Sequence, residues 1–295
     1  MIDQLTTETT PSYQVREVCL ALSLSPSGYY AQRYKEERPR RRQDQMLSQA
    51  IHHVFEESGG TYGSPRLVRA LGKRGVRISK TRVRRLMKAH GLCPIQKRRT
   101  RPKVPKSQSP EPVAPHLLLA ARPVQRPGER FHSDITYIPT QEGWLFAAAT
   151  LDGFSRKCAG WSVGNNMEAP LVLRAAVRAL TPGDTSARLH HSDQGSQYKS
   201  ELFRDFLYSQ QVQQSMSRRG NCYDNALMES FWATLKTECF DNFRNGIPAT
   251  RQEARQKLFM YIELFYNPKR LHSALDYRSP VEFEQDYFNQ KEENR

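Results

Sequence analysis

The amino-acid sequence predicts an α/β protein, in which a mixed five-stranded sheet with flanking helices follows an all-α, basic region. The distribution of charge supports this division, because residues 1–110 contain 23 lysines and arginines but only 8 acidic residues, whereas residues 111–295 contain 22 of each. The change of pattern supports it as well, since helical periodicity fills the basic part and strand alternation begins near residue 123. A chain of 295 residues is long enough for one sizeable core and one or two small appendages.

Composition excludes several classes of protein. Five cysteines are scattered along the chain without a C-x-x-C pair, which argues against a disulfide framework and against a thiolate zinc site. No apolar run approaches the roughly 20 residues of a membrane span, and the N-terminus lacks the pattern of a secretory signal. We therefore expect a soluble, cytoplasmic protein without a membrane partner. The net charge of +15, concentrated in the first third, indicates a polyanionic partner, most often nucleic acid.

The basic region contains helices that begin with recognisable capping residues. We predict a small, helix-turn-helix-like segment over residues 1–37 and a helical DNA-binding region over residues 38–95. The predicted helices are two short ones within 13–34, then 43–57, 64–71 and the segment between Ser79 and Gly91.

The last of these helices is the predicted DNA-contacting element. Its apolar residues Val83, Leu86 and Met87 share one face and leave the remaining surface to basic side chains. A helix that docks in a DNA groove requires such a pattern, whereas a merely soluble helix normally mixes charges of both signs. We predict that its DNA contacts are Lys80, Arg82, Arg84, Arg85 and Lys88. A basic, proline-rich linker over 96–122 adds Lys97, Arg98 and Arg99.

Strand patterns fill the next part of the chain. The predicted strands have the sequences FHSDITYIP, GWLFAAATLD, RKCAGWSV, ARLHHSD and VQQSMS. Three meandering strands, followed by helix, strand, helix, strand and helix, give the element order of an RNase H-like mixed sheet. We assign residues 123–240 to this core and residues 241–295 to a C-terminal helical tail that completes it.

Three carboxylates in this core are candidate metal ligands. Asp134 lies in the middle of a strand, where aspartate is rare because it cannot enter a core unpaired. Asp193 ends a second strand, and Glu229 lies near the start of a long helix. Carboxylates on two strands and a helix can converge on hard cations such as Mg²⁺. A pair of such ions about 4 Å apart can activate the attacking oxygen and stabilise the leaving oxygen of a phosphoryl displacement.

The periodicity of the long helix distinguishes Glu229 from the other glutamate on it. Glu229 lies at the edge of the apolar stripe, half toward the core, whereas Glu238 points away from Glu229. Lys236, two turns further on, returns to the face of Glu229, where a cation could hold DNA beside the metals. The stripe itself consists of Met228, Phe231, Trp232, Leu235 and Cys239.

These motifs resemble the retroviral-integrase-like core of bacterial insertion-sequence transposases. The resemblance rests on DITY at 134, HSDQGSQY at 191 and NALMES followed by Lys236. Asp193 and Glu229 are separated by 35 residues, the spacing of the D,D-35-E signature. The YGSPR and RVRRLM segments and the tail YNPKRLHSALDYRSP also look like the second-reading-frame (OrfB) products of that family.

The resemblance implies a DDE-type transposase with Asp134, Asp193 and Glu229 as catalytic, metal-binding triad. It implies two Mg²⁺ or Mn²⁺ ions and hydrolysis at the element's ends, followed by attack of the released 3′-hydroxyl on a second phosphodiester. The implied substrates are double-stranded terminal inverted repeats and target DNA, and the implied partners are further copies of the chain and an upstream-frame (OrfA) product or fusion. Residues matching positions near the family's active site, and expected to contact DNA, are Lys236, Asn225, Gln197 and Tyr198.

Other polar residues are expected to be structural. We interpret Asp152 as a turn-capping carboxylate, and we expect His190 and His191 to point to opposite faces of their strand, one buried and the other near the site. Two alternative functions remain open at this point. A DNA-binding regulator would keep the basic helices without needing the triad, and a related nuclease would hydrolyse DNA without joining it.

Overall fold

The computed structural model of the protein describes residues 13–33, 39–95, 114–119, 122–180, 188–218, 225–243 and 246–293. The chain divides into two compact units, one ending at Cys93 and the other beginning at Pro94. The predicted DNA contacts in the linker lie outside the described residues; these are Lys97, Arg98 and Arg99. Among the described helices, none is both long and apolar enough to cross a membrane.

The described part of the first unit is helical. Ser79 caps its last helix as predicted, because its Oγ accepts a hydrogen bond from the backbone N–H of Arg82 at 3.2 Å. Another cap differs from the prediction, since Gly63 rather than Ser64 precedes the fourth helix. The third helix starts at Pro39, before the predicted residue 43, because proline is accepted in a first helical turn. The helices are α1 (Val15–Ala21), α2 (Pro26–Arg33), α3 (Pro39–Glu57), α4 (Ser64–Lys73) and α5 (Lys80–Ala89).

Helices α3, α4 and α5 pack against one another through apolar faces. The face of α5 predicted from its periodicity is confirmed, because Val83, Leu86 and Met87 are all buried. Their partners on α3 and α4 recur at spacings of three and four residues, as an amphipathic helix requires. These partners are Ile51, Val54, Leu67 and Leu71.

The second unit contains the predicted mixed five-stranded sheet. Its strand order is β3-β2-β1-β4-β5, which places β1 at the centre. The first three strands are antiparallel neighbours, whereas β4 runs parallel to β1 and β5 runs parallel to β4. The strands are β1 (Arg130–Thr140), β2 (Gly143–Asp152), β3 (Cys158–Gly164), β4 (Arg188–Ser192) and β5 (Val212–Met216).

Helices cover both faces of the sheet, so the unit has two apolar layers. The layer containing α9 and α10 buries Met228, Phe231 and Leu258, and the layer containing α6 and α8 buries Leu171 and Phe203. Each fully buried side chain of this size stabilises the fold by about 1.5–3 kcal/mol. The helices are α6 (Ala169–Ala179), α7 (Ser196–Lys199), α8 (Glu201–Ser209), α9 (Ala226–Phe240), α10 (Arg251–Tyr261) and α11 (Pro280–Glu293).

Close packing of α6 on β3 depends on the lack of a side chain at Gly160. A Cβ atom there would lie 2.1 Å from the carbonyl oxygen of Ala175 and 2.8 Å from the backbone nitrogen of Ala179. Both contacts involve helix backbone, which has little freedom to move aside. Glycine at this position therefore lets the helix approach the sheet directly.

Asp152 is a turn-capping carboxylate, as predicted. It is buried at the end of β2, where its oxygens accept hydrogen bonds from the backbone N–H groups of Phe154, Ser155 and Gly128 at 2.7 to 3.0 Å. The hydroxyl of Ser155 donates a further bond to it at 2.9 Å. These donors occupy both carboxylate oxygens and fix the turn into β3.

Glu238 forms a buried ion pair that joins α9 to the C-terminal part of the chain. The Nε and Nη2 atoms of Arg270 each donate to one carboxylate oxygen of Glu238 at 2.6 Å, and the Tyr261 hydroxyl donates at 2.9 Å. The side chains of Arg270 and Glu238 are only 5% and 7% exposed. Glu238 is therefore structural, which agrees with the choice of Glu229 as the candidate ligand on this helix.

We predict that Arg270→Ala lowers the free energy of unfolding by about 3–5 kcal/mol, because it leaves the Glu238 carboxylate buried without its partner. Urea unfolding followed by circular dichroism measures this loss. The control is Lys257→Ala, which removes the half-exposed pair of Lys257 with Glu253 and should cost less than about 1 kcal/mol. Equal losses in the two variants would contradict the structural role of the Glu238–Arg270 pair.

Candidate active site

The parallel pairing of β1 with β4 brings two of the predicted carboxylates together. His132 lies opposite His191 in this register, and two further steps along both strands lead to Asp134 and Asp193. Paired strands are about 4.8 Å apart, so the two aspartates lie side by side on one face of the sheet. On its other side Asp134 lies opposite Ala149 of β2, whose small side chain leaves room for the carboxyl group.

Asp193 is held at the turn that follows β4. Its Oδ1 accepts a hydrogen bond from the backbone N–H of Gly195 at 3.0 Å. A Cβ atom on Gly195 would lie 3.0 Å from that oxygen and 2.9 Å from Oε1 of Gln197. The turn thus gives Asp193 one backbone donor and leaves its carboxylate exposed.

Glu229 enters the same site from the first turn of α9. Asn225, the residue immediately before α9, is the N-cap of this helix. Its Nδ2 donates to the backbone carbonyl of Ser133 at 3.1 Å. This bond ties the start of α9 to β1 immediately beside Asp134. The Glu229 side chain is exposed rather than turned half toward the core as predicted, because the buried face of α9 is occupied by residues such as Met228.

The electrostatics of Asp134 reflect the charges of the other two candidate carboxylates. Burial, as the largest cause, and the negative charges of Asp193 and Glu229 together raise the pKa of Asp134 to about 7. Hydrogen bonding from its own strand and the indole N–H of Trp232 act in the opposite direction. Burial also raises the pKa of Asp193, while the Gly195 N–H opposes that shift. The metal-free site therefore holds more negative charge than the neighbouring cations and hydrogen-bond donors neutralise.

Buried polar atoms without a hydrogen-bond partner surround Asp134. They are the Tyr198 hydroxyl, Oδ1 of Asn225 and Nε1 of Trp232, whose N–H approaches Asp134 without reaching normal hydrogen-bond geometry. Within the described ranges, no three His, Cys, Asp or Glu side chains already converge as a set of metal ligands. The site is nevertheless rich in oxygen atoms and poor in compensating charge, which is the donor set that a hard divalent cation prefers.

Lys236 lies next to this group of carboxylates, on the same side of α9 as Glu229. Its Nζ is 4.8 Å from the ring centroid of Tyr137. Burial lowers the pKa of Lys236, and the negative charge of Asp134 opposes that shift. The structure therefore places a cation between the carboxylates and an exposed aromatic ring.

The other residues matched to the family's active site lie around the aspartates at different depths. Gln197 is partly exposed, and its Nε2 donates to the carbonyl oxygen of Met167 at 2.7 Å. Tyr198 and Asn225 are only 1% and 8% exposed, so they lie beneath the carboxylates and present little surface to a DNA strand. Sequence reasoning found these positions through the resemblance but did not predict their burial.

Both histidines of β4 are fully buried. His190 Nε2 bonds to the Ser133 hydroxyl at 2.8 Å, and His191 Nδ1 bonds to the Ser215 hydroxyl at 2.9 Å. They point to opposite faces of the sheet as predicted, and both of them, rather than one, are buried and hydrogen-bonded. The sheet is covered by helices and by residues 114–119, so both faces are interior at this point.

The basic side chains predicted on α5 divide into two groups. Arg82 and Arg85 donate to the two carboxylate oxygens of Asp44 on α3 at 2.8 and 2.7 Å. The hydrogen bond from Arg85 holds the pKa of Asp44 below its usual value, and Arg82 contributes to this shift. Lys80, Arg84 and Lys88 are exposed. Sequence analysis missed the role of Asp44, because it lies on another helix 38 residues before Arg82.

Two aspartates at the end of a parallel strand pair, with a glutamate at the start of the helix beside them, define the class of integrase-type polynucleotidyl transferases. Family comparison agrees with this class. The Integrase core domain family matches residues 124–222, a second Integrase core domain family matches residues 210–280, and the HTH-like domain family matches residues 41–100.

The chain belongs to the family of insertion-sequence transposases, as its motifs indicated. It is 40% identical to the transposase for insertion sequence element IS904 of Lactococcus lactis subsp. lactis (strain IL1403), over 81% of this chain and 94% of that protein. It is 37% identical to the IS600 uncharacterized 31 kDa protein of Shigella sonnei, over 92% and 98% of the two chains. It is 32% identical to transposase InsF for IS3A of Escherichia coli (strain K12), over 92% and 94%.

Solved structures of lower similarity include two viral proteins. One is the HTLV-2 integrase catalytic core domain in complex with magnesium, with 14% identity and a TM-score of 0.41 over 54% of this chain and 97% of that one. The other is the simian T-cell lymphotropic virus intasome in complex with PP2A regulatory subunit B56 gamma, with 15% identity and a TM-score of 0.43 over 80% and 73%. Family membership makes this chain a DDE-type polynucleotidyl transferase that acts in DNA transposition and integration.

We predict that Asp134→Asn stabilises the metal-free protein more at about pH 8 than at about pH 5. An unfolded aspartate has a pKa of about 3.9, whereas Asp134 in the folded chain has a pKa of about 7. Its contribution to stability therefore falls as pH rises from about 4 to about 7 and is constant above that range. Asparagine removes this dependence.

Thermal unfolding in the presence of a chelator measures the effect as the difference in Tm between variant and wild type. Asp205→Asn serves as the control, because Asp205 is an exposed carboxylate on α8. Its Tm difference from wild type should be the same at both pH values. An Asp134→Asn difference that does not grow with pH would contradict the accumulation of like charge at this site.

Proposed function

We propose that Asp134, Asp193 and Glu229 are the catalytic triad and that they bind two divalent ions, Mg²⁺ or Mn²⁺. The observation that carries this proposal is the position of Asp134, a half-buried carboxyl group whose pKa is raised by burial and by the charges of both other carboxylates. A structural carboxylate of this chain, such as Asp152, has donors on both oxygens. Asp134 receives only weaker donation, from the backbone of Ile135 and the indole of Trp232, and cations would supply the further compensation. When bound, a pair of divalent ions activates an attacking oxygen and stabilises the leaving oxygen at phosphorus.

The proposed reaction has two steps at each end of a mobile element. In the first step a water oxygen attacks a phosphodiester, the bond from phosphorus to the 3′-oxygen breaks, and a 3′-hydroxyl is released. In the second step this hydroxyl attacks another phosphodiester, so one phosphorus–oxygen bond forms while another breaks. The second exchange conserves the number of phosphodiester bonds and requires no nucleotide cofactor and no covalent intermediate with the protein.

The neighbouring residues position these groups. Asn225 holds the start of α9 on β1 through its bond to the Ser133 carbonyl, and the Gly195 N–H orients Asp193. We assign Tyr198 and Asn225 to this positioning role because they are buried, and we assign the contact with DNA to Lys236 and Gln197, which are partly exposed. An ammonium group has no lone pair for a metal, so Lys236 acts on a phosphate or a terminal base.

The first unit would bind the element's ends through α5. Lys80, Arg84 and Lys88 are exposed on this helix and available to phosphates or base edges. Arg82 and Arg85 instead brace α5 against α3 through Asp44. Joining two ends requires that both be held at once, so we propose that several copies act together on DNA. The upstream-frame product is the proposed additional partner, because this chain has no sustained heptad pattern for dimerisation.

We predict that Asp134→Asn, Asp193→Asn and Glu229→Gln each lower the rates of end hydrolysis and strand joining by more than about 100-fold. Even the outer-shell partners of metal ligands are worth about 10- to 100-fold, and a ligand itself should be worth more. The assay uses labelled duplexes that carry the ends of the element encoding the chain, with Mg²⁺ or Mn²⁺. Calorimetric titration with Mn²⁺ should show weakened metal binding in the same variants.

The control for this experiment is Asp205→Asn, which removes an exposed carboxylate outside the site and should retain wild-type rates. Joining at the wild-type rate by any folded triad variant would remove that residue from the proposed site. Hydrolysis without joining by the wild-type chain would favour a nuclease over a transposase reaction.

We also predict that Arg84→Ala and Arg82→Ala have different effects. Arg84→Ala should weaken DNA binding and reduce the slope of log K against log salt by about 0.9, the value for one lost phosphate contact. Arg82→Ala should mainly lower the Tm, because it removes a hydrogen bond to Asp44. Fluorescence anisotropy over a salt series and thermal unfolding measure the two effects. Equal salt slopes in Arg84→Ala and wild type would exclude Arg84 as a phosphate contact.

A further inference from the structure

Two large aromatic side chains are exposed on the hairpin formed by β1 and β2. Tyr137 is 56% exposed and Trp144 is 50% exposed. Their ring centroids are 5.0 Å apart and their planes meet at 81°. The two rings therefore form a right-angled pair of apolar surfaces, which we call the aromatic corner. Neither residue belongs to the triad, and Tyr137 is the last residue of the DITY segment that contributes to the family resemblance.

The aromatic corner is held in place by contacts with the start of α10. Nε of Arg251 donates to the carbonyl oxygen of Trp144 at 3.1 Å, and the backbone N–H of Arg251 donates to Glu142 at 2.8 Å. The backbone N–H of Gln141 donates to the carbonyl oxygen of Pro248 at 3.0 Å. Exposed aromatic rings on a braced hairpin lose little conformational entropy when a ligand binds, which favours recognition.

The aromatic corner adjoins the candidate active site through Lys236. The ammonium of Lys236 lies 4.8 Å from the Tyr137 ring centroid and within the electrostatic field of Asp134. Tyr137 follows Asp134 by three residues on β1, so the two Cα atoms are about 10 Å apart and the two side chains leave the strand on opposite faces. Lys236, which lies near both, is therefore the contact that joins the aromatic corner to the site. A phosphate-binding cation and exposed aromatic rings are the two components of sites for unpaired nucleic acid.

We propose that the aromatic corner stacks an unpaired nucleobase of the DNA strand whose phosphate occupies the candidate active site. This inference rests on the proposed function, because it takes the position of the reacting phosphate from the triad. Stacking requires a free π-face, which a base inside a duplex does not offer. The occupant is therefore a base at a frayed or distorted end of the DNA.

The spacing limits which base this is. Successive bases of one B-form strand are about 3.4 Å apart along the axis. The distance of about 10 Å from Asp134 to Tyr137 along the strand corresponds to about three such steps. The stacked base should thus lie within about three nucleotides of the reacting phosphate. Arg251 and Lys236 contact the aromatic corner from two sides. The rings therefore cannot move to reach a base much further from the reacting phosphate.

The experiment uses the full-length chain and duplexes carrying the ends of the element, with 2-aminopurine at each of the three nucleotides on either side of the reacting phosphate. Stacking on an aromatic ring quenches the fluorescence of this base analogue. A second set of duplexes has mismatches at the same positions, which free the bases in advance. The variants are Trp144→Ala, Tyr137→Ala and the conservative Trp144→Phe, and the control is Tyr208→Ala, which removes an 87% exposed aromatic residue of α8.

Wild type and Tyr208→Ala should quench 2-aminopurine at one or two of these positions and should bind mismatched ends more tightly than paired ends. Trp144→Ala and Tyr137→Ala should lose the quenching and weaken binding of mismatched ends by about 5- to 150-fold, the range expected for one stacked base. Trp144→Phe should recover most of both properties. Loss of the preference for mismatched ends is the decisive readout, because a merely weakened hairpin would affect both kinds of end equally.

Quenching and mismatch preference at wild-type levels in Trp144→Ala and Tyr137→Ala would overturn the proposal. A changed oligomeric state of these variants in the absence of DNA, with unchanged quenching, would assign the corner to a protein contact instead. Strand joining by Glu229→Gln in the same assay separates the two proposals. If Glu229→Gln joins DNA normally, the proposed triad fails, whereas a wild-type result for Trp144→Ala alone removes only the aromatic corner.

Discussion

The burial of the Asp134 carboxyl group in the central strand is the constraint on which the second unit depends. Burial and like charge both oppose its ionisation, and the nearby cation of Lys236 offsets them only in part, so the surrounding fold must hold the carboxyl group in place. The packing of α9 and α10 against β1 and β2, and the bond from Asn225 to the backbone next to Asp134, provide that support. The carboxyl group at this point of the sheet lowers the stability of the fold, and it concentrates negative charge at the site proposed to bind cations and phosphate.

The same unit contains carboxylates that illustrate the opposite arrangement. Asp152 and Glu238 are also buried, but backbone N–H groups surround the first and a bidentate arginine pairs with the second. Both join segments that lie far apart in the sequence, and neither has unused hydrogen-bonding capacity for a ligand. This contrast in hydrogen-bond partners is the physical reason for proposing a chemical role for Asp134 and structural roles for Asp152 and Glu238.

The basic side chains of α5 in the first unit also fall into two groups. Arg82 and Arg85 are committed to Asp44, and they orient α5 on α3. The exposed basic residues of the same helix are left for DNA. One acidic residue therefore converts part of a positively charged surface into a structural contact. If α5 contacts DNA as proposed, this contact would fix its placement, because a helix must be rigidly placed before its side chains can reach particular base edges.

The sequence by itself determined the fold class and the central position of Asp134 in a strand, whereas the choice of Glu229 over Glu238 as a ligand stays a prediction. These follow from local patterns, since strand alternation, helix periodicity and capping residues act over a few residues. Only the tertiary structure decided which polar groups gain a hydrogen-bond or ion-pair partner. The pairing of Asp44 with Arg82, the burial of Tyr198 and of both β4 histidines, and the meeting of Tyr137 with Trp144 and Lys236 join separate elements. Local periodicity contains no information about such partners, because they are set by the packing of one element against another.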